Sequence, residues 1–208
     1  MNVLVLDNYD SFTYNLVHYI EEELGHSITV ARNDEITLDE VAKFDLIVLS
    51  PGPGLPAEAG IMPALLQRYA GEKVIFGVCL GHQAIGEAFG GALHNLDQVH
   101  HGIETQMRRR EAGLPGGDVV FKDVPTDFRA GRYHSWVIDS ATLPDVLEVT
   151  ATGEYDDIMA VQHREHPIFG VQFHPESIMT EHGRTMVRNV LAFTANRLAE
   201  RASEPQTA

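Results

Sequence analysis

Residues 73–83 read Lys73-Val74-Ile75-Phe76-Gly77-Val78-Cys79-Leu80-Gly81-His82-Gln83. A short apolar run with β-branched residues stops at a cysteine set between two glycines, and a helical pattern over residues 82–89 follows. Strand, sharp turn and helix in this order form the nucleophile-elbow pattern, with Cys in place of Ser. Glycines flank the nucleophile because such a turn strains the backbone and leaves no room for neighbouring side chains. The helix that starts here favours negative charge beside the sulfur, and the N–H of Leu80 points where an oxyanion would form. A buried cysteine in this position also suits plain core packing, so the chemistry depends on partners elsewhere in the chain.

Working outward, residues 2–6 form another apolar run, followed by Asp10 and Ser11 as helix N-caps and by Phe12, Leu16, Tyr19 and Ile20 at helical spacing up to Gly25. Further strands are expected at 27–31 and 45–49, a short helix capped by Thr37 or Asp39, and a helix over 61–69. Strands alternating with helices imply a parallel sheet covered on both faces. From about Gly90 the pattern changes to short β-like runs at 119–121, 128–133, 147–152 and 158–163, punctuated by Gly, Pro, Asp and His. The expected fold class is therefore α/β: a mostly parallel twisted sheet flanked by helices, with a smaller antiparallel portion in the C-terminal half. A strand at 168–173 and a closing helix from near His182 complete one domain over residues 1–195, with 196–208 expected as a frayed tail.

A base for Cys79 is offered by Phe173-His174-Pro175-Glu176-Ser177, directly after a strand, where parallel sheets present functional loops. The proline biases His174 toward extended backbone, so His174 and Glu176 point to one side while Val171 and Phe173 turn into the core. Glu176 then holds one imidazole nitrogen and leaves the other for sulfur. The segment Ser50-Pro51-Gly52-Pro53-Gly54 follows the third strand and lies at the same sheet edge; its prolines stiffen the loop and its glycines expose N–H groups suited to a second oxyanion contact.

Composition narrows the classes further. Thirty acidic against 15 basic residues give a formal charge of −15 over 208 residues, which repels nucleic acid and anionic membranes. The run Arg108-Arg109-Arg110 reads as a solvated turn. A single cysteine excludes an intrachain disulfide, and His100-His101 and His163-x-x-His166 lack partners at ligand spacing, so no metal site is expected. With no basic leader, no apolar run of about 20 residues and no disulfide, a soluble cytoplasmic domain is expected.

Together, in their order and spacing, residues 77–83, 170–177 and 50–56 resemble the class I (triad-type) glutamine amidotransferases. Two further segments, residues 7–15 and Gly131-Arg132-Tyr133-His134-Ser135, are similar to the small subunits that serve chorismate-using synthases, of the anthranilate and the aminodeoxychorismate kind. The resemblance implies Cys79, His174 and Glu176 as the triad, and Gly52, Pro53, Gly54 and Leu80 around the oxyanion. It also implies Gln83 as a side-chain contact to L-glutamine and Ser135 and Trp136 as backbone contacts to its amino-acid end. The partner it implies is a chorismate-binding large subunit, with no cofactor in this chain and Mg2+ required by that partner. Anthranilate is the favoured product, aminodeoxychorismate or a role shared by both synthases the alternative; a stand-alone γ-glutamyl cysteine hydrolase and a non-catalytic scaffold with an inert Cys79 are the competing classes. Residues 99–115 match no segment of this pattern.

Overall fold

A computed structural model describes residues 1–110, 113, 114 and 117–203, with 97–101 described by backbone only. Its strands are β1 (Val3–Asp7), β2 (Thr29–Arg32), β3 (Leu46–Leu49), β4 (Val74–Val78), β5 (Leu93–Arg109), β6 (Asp127–Ile138), β7 (Leu147–Gly153), β8 (Ile158–His163) and β9 (Ile168–Val171). The helices are α1 (Thr13–Leu24), α2 (Leu38–Val41), α3 (Met62–Tyr69), α4 (Leu80–Ala88) and α5 (Gly183–Ser203). All nine strands join one mixed sheet in the order β2-β1-β3-β4-β9-β8-β7-β5-β6. The pairs among β1, β2, β3, β4 and β9 are parallel, and those from β9 through β8 and β7 to β5 and β6 are antiparallel. The fold is thus the expected α/β arrangement with an antiparallel C-terminal portion.

Strand alternation decides what covers each face. In β1, Val3 and Val5 pack with Leu16, Val17 and Ile20 of α1 and with Met186, Val187 and Val190 of α5. Leu4 and Leu6 turn the other way, into a second cluster with Leu65, Leu66 and Tyr69 of α3 and Ile85 of α4. Both faces of the parallel part are therefore apolar, which is why its strands read as continuous hydrophobic runs rather than alternating ones. The C-terminal ends of β1, β3, β4 and β9 share one edge, so Asn8, residues 50–54, Cys79 and His174 all emerge there.

Several expectations need correcting. Asp10 and Ser11 do not cap α1: Phe12 occupies that place without a side-chain cap, and Asp10 instead accepts from the Phe12 N–H at 2.8 Å in the turn before it. Residues 119–121 form a turn, not a strand. Val120 and Phe121 are nonetheless buried, because the Asn189 side chain of α5 donates to the carbonyls of Val120 (2.9 Å) and Lys122 (2.7 Å), in place of a strand neighbour. The arginine run is not a solvated turn either: Arg108 and Arg109 end β5 in register with Thr152 and Ala151 of β7, and Arg110 reaches Asp156 at 3.5 Å. The unmatched stretch 99–115 thus begins inside the long strand β5. Helix α5 runs through Ser203, where a frayed tail from residue 196 was expected, and Arg201 donates to the Glu72 carbonyl at 3.2 Å. Residues 204–208 lie outside the described residues. Among the described residues no helix is long and apolar enough to cross a membrane.

Phe121 packs in an aromatic group with Phe128 (5.6 Å between centroids) and Phe173 (6.3 Å), the residue before His174. Phe121→Ala is expected to cost about 3–5 kcal/mol of stability in urea unfolding. A loss below about 1 kcal/mol would place the 119–121 turn on the surface instead.

Candidate active site

Cys79 sits between β4 and α4 at φ 51, ψ −98, a region that side-chain-bearing residues rarely occupy. Its surroundings enforce the turn. A Cβ on Gly77 would stand 2.5 Å from the Gly81 carbonyl group, and one on Gly81 would stand 2.5 Å from the Leu49 carbonyl oxygen. Neither contact can relax without moving backbone, so both glycines are steric requirements. The Cys79 N–H donates to Val171 O at 2.8 Å and its carbonyl accepts from Gln83 N at 3.0 Å, tying the turn to β9 and to α4. Leu80 opens α4, so its N–H is one of those without an intrahelical acceptor.

His174 follows β9 and is 2% exposed; Glu176 is 3% exposed. The His174 Nδ1–H donates to Glu176 Oε1 at 2.7 Å, while Nε2 is buried without a hydrogen-bond partner of normal geometry. The imidazole is boxed edge-on by Tyr133 (4.9 Å) and Phe12 (5.5 Å). Its backbone is held too, through His174 N to Gly131 O at 3.2 Å and Thr180 Oγ1 to His174 O at 2.6 Å. Gly183 packs so closely that an added Cβ would overlap the Pro175 carbonyl. The His-Pro-Glu segment is therefore rigid, and its pairing of imidazole with carboxylate is the one expected from the sequence.

A cavity of about 200 Å³ opens beside the sulfur, lined by Gly52, Pro53, Gly54, Cys79, Gln83, Tyr133, His134, Ser135 and Trp136. Gly54 has φ +75, and a Cβ on Gly52 would meet Asn8 at 2.6 Å, so the 50–54 loop lies tight against the end of β1. Asn8 anchors it: its N–H donates to Ser50 Oγ and its amide to Ser50 O, each at 2.8 Å. In the cavity wall the Trp136 carbonyl accepts from Gln83 Nε2 (2.8 Å) and His134 Nδ1 (3.0 Å).

The sequence reading missed Tyr133 and His134 as cavity walls and Gln172 as a neighbour of sulfur. Gln172 is fully buried; it accepts from Gln83 Nε2 at 3.3 Å and donates to Cys79 Sγ at 3.6 Å. Strand alternation could have found it, since residues 172, 174 and 176 share one side. Asn8 lies in the segment singled out only by resemblance, and nothing in its local spacing signals contact with a loop 42 positions away.

Burial pulls the His174 pKa down, but interaction with Cys79 and Glu176 outweighs it and holds the group well above the ordinary imidazole value. The folded state thus favours imidazolium. That contribution is present in full below the unfolded value of about 6.5 and is lost as pH rises through the folded one. Asp118, pushed up by burial to about 6, acts at lower pH. Urea midpoints are expected to fall from about pH 6.5 upward, with a shallower slope in Glu176→Gln, whose neutral amide supports imidazolium poorly. Identical slopes in the two proteins would dismiss the Glu176 contribution.

The chain matches the glutamine amidotransferase class-I family over residues 4–193. It is 50% identical over 195 residues to a protein of Azospirillum brasilense named anthranilate synthase component 2, covering 92% of this chain and 96% of that one. It is 44% identical over 191 residues to aminodeoxychorismate/anthranilate synthase component 2 of Bacillus subtilis, covering 91% and 95%. With the bifunctional protein TrpGD of Thermotoga maritima it shares 48% over 192 residues; there the match takes in 91% of this chain but only 32% of the longer relative. Among solved structures, a putative GMP synthase component from Thermoplasma acidophilum superposes with a TM-score of 0.84 at 24% identity, covering 98% of each chain, which supports the fold alone. The elbow, the His-Glu pair, the cavity beside the sulfur and the family match agree: the chain belongs to the class I glutamine amidotransferases.

Proposed function

We propose that this protein is the glutaminase component of a two-part synthase, hydrolysing L-glutamine and passing the ammonia to a chorismate-binding partner that makes anthranilate. The observation that carries the reading is the strained Cys79 turn beside the buried His174–Glu176 pair, in a chain matching an anthranilate synthase component 2 over nearly its whole length.

In this reading the Cys79 thiol gives its proton to His174 Nε2 before the attack, forming the imidazolium that the raised His174 pKa favours, and the thiolate Sγ then adds to the side-chain amide carbon of glutamine. The N–H groups of Gly54 and Leu80, with Gly52 and Pro53 shaping the loop, hold the oxyanion. Collapse breaks the C–N bond as the imidazolium returns its proton to the leaving nitrogen, releasing ammonia and leaving a glutamyl thioester. Water then adds to the thioester with its proton taken by His174; the C–S bond breaks, glutamate departs and the thiol is reprotonated. The raised His174 pKa suits the acid half of this cycle. Glu176 orients the ring, and Gln83, Ser135 and the Trp136 backbone hold the amino-acid end of glutamine. Both hydrogen bonds of the Gln83 amide are made through Nε2, which leaves Oε1 as its acceptor for an ammonium group.

This chemistry needs no cofactor in the chain itself, and a Mg2+ requirement falls to the partner, whose chorismate carries carboxylates. A free nucleophilic thiol suits a reducing cytoplasm. The second reading, supply of aminodeoxychorismate synthase or of both synthases, is favoured by the double name of the Bacillus subtilis relative. Mixing the purified chain in turn with an anthranilate-type and an aminodeoxychorismate-type large subunit, with chorismate, separates the two. Stimulation of glutamine hydrolysis by the first alone is expected, stimulation by both would indicate that the two synthases share this chain, and none with either would defeat the reading. Cys79→Ser is expected to lower glutamine-dependent synthesis by more than about a thousandfold while ammonia-dependent synthesis by the complex persists.

A further inference from the structure

Arg132 is a cation with no solvent exposure at all, on β6 beneath the wall of the cavity. Its Nη2 donates to Asp157 Oδ2 at 2.9 Å, in the turn between β7 and β8, and its Nε donates to His134 Nε2 at 3.1 Å. Nη1 is buried without a partner. Full desolvation of a guanidinium is costly, and a fold often does as well or better with apolar side chains in place of a whole buried ion pair. What an apolar residue could not supply is the Nε donor.

That donor has a definite consequence. Because His134 Nε2 accepts from Arg132, the His134 proton resides on Nδ1, and Nδ1–H donates to the Trp136 carbonyl at 3.0 Å. The same carbonyl accepts from Gln83 Nε2 at 2.8 Å, and Gln83 Nε2 also reaches Gln172 Oε1 at 3.3 Å, whose Nε2 donates to Cys79 Sγ at 3.6 Å. An unbroken line of hydrogen bonds therefore runs from Asp157 and Arg132, outside the cavity, to Gln83 on its wall and to the sulfur. The direction of these bonds is pinned at both ends, since Arg132 can only donate and the Trp136 carbonyl can only accept.

We propose that Arg132 is a positioning residue for glutamine binding, acting through His134 to fix the Trp136 carbonyl and, through it, the side chain of Gln83. The proposal rests on the glutaminase reading above and deepens it. Without Arg132, the buried Nε2 of His134 loses its charged donor, the ring is held less firmly against the Trp136 carbonyl, and the Gln83 amide that shares this carbonyl is less well fixed, so ground-state binding of glutamine suffers while the triad stays as it is.

The test uses the purified chain and 6-diazo-5-oxo-L-norleucine, a glutamine-shaped alkylating probe, beside iodoacetamide, which needs a reactive thiol but no glutamine pocket. Wild-type protein inactivated by the diazo ketone at Cys79, with protection by glutamine, upholds the glutaminase reading; failure there would sink that reading and this inference with it. In Arg132→Met the concentration of diazo ketone for half-maximal inactivation rate is expected to rise about tenfold or more, as for loss of a charge-assisted hydrogen bond. The limiting rate and the iodoacetamide rate are expected within about twofold of wild type, and the thermal midpoint lowered, because Asp157 is left without its partner. His134→Asn, which keeps a donor in the place of Nδ1, is expected to bind the probe more tightly than His134→Ala. A well-folded Arg132→Met with unchanged half-maximal concentration, or equal loss of probe and iodoacetamide reactivity, would overturn the proposal. If Arg132→Met fails to fold, equal binding by the two His134 variants overturns it.

Discussion

The turn at Cys79 depends on how closely backbone approaches backbone there. Gly77 lies against Gly81 and Gly81 lies against the Leu49 carbonyl, so β4, α4 and β3 meet with no room for a single methyl group. That crowding holds Cys79 at positive φ at the sheet edge, where its buried side chain borders the cavity. The cost is of order 1–3 kcal/mol at one residue, offset by apolar packing on both faces of the sheet. Everything placed around the sulfur presupposes this geometry.

The sheet then brings the remaining groups to the same place by two different routes. Parallel register between β4 and β9 carries His174 to the edge where Cys79 stands, with the Cys79 N–H bound to Val171 as a direct link. The antiparallel half folds β6 back over this edge, so that Tyr133 presses on His174 and residues 133–136 close the cavity. The two halves of the sheet thus have separate tasks: the parallel half aligns Cys79 with His174, and the antiparallel half walls the cavity. Asn8 and Gly52 complete the rim by locking the 50–54 loop to the end of β1.

What could be read in the sequence was what depends on local pattern. The elbow around Cys79, the paired His174 and Glu176 and the alternation of strands and helices all declare themselves within a few residues, because backbone strain, strand alternation and apolar periodicity are short-range constraints. What could not be read depends on distant partners. Val120 and Phe121 look like a strand by hydrophobicity, and the side chains of Asn189, Gln162 and Asp118 take the backbone hydrogen bonds that let a buried turn form there. Asn8 looks like a turn residue until residues 50–54 are laid against it. Arg132 looks like an exposed arginine in a β-run, and its burial becomes sensible only with Asp157 and His134 in place. The long strand β5 escaped because its sequence carries His, Asp, Glu and Arg, with its pairing supplied by β6 and β7.

The central claim is that this turn makes Cys79 a nucleophile toward an amide carbon. Its most direct test is rapid acid quenching of the protein during turnover with L-glutamine, followed by intact-mass and peptide analysis. A glutamyl adduct confined to the peptide bearing Cys79, absent in Cys79→Ser and accumulating when deacylation is slowed, is the expected result. Glutamine hydrolysis that proceeds at full rate with no adduct at any quench time, or that survives in Cys79→Ser, would contradict it.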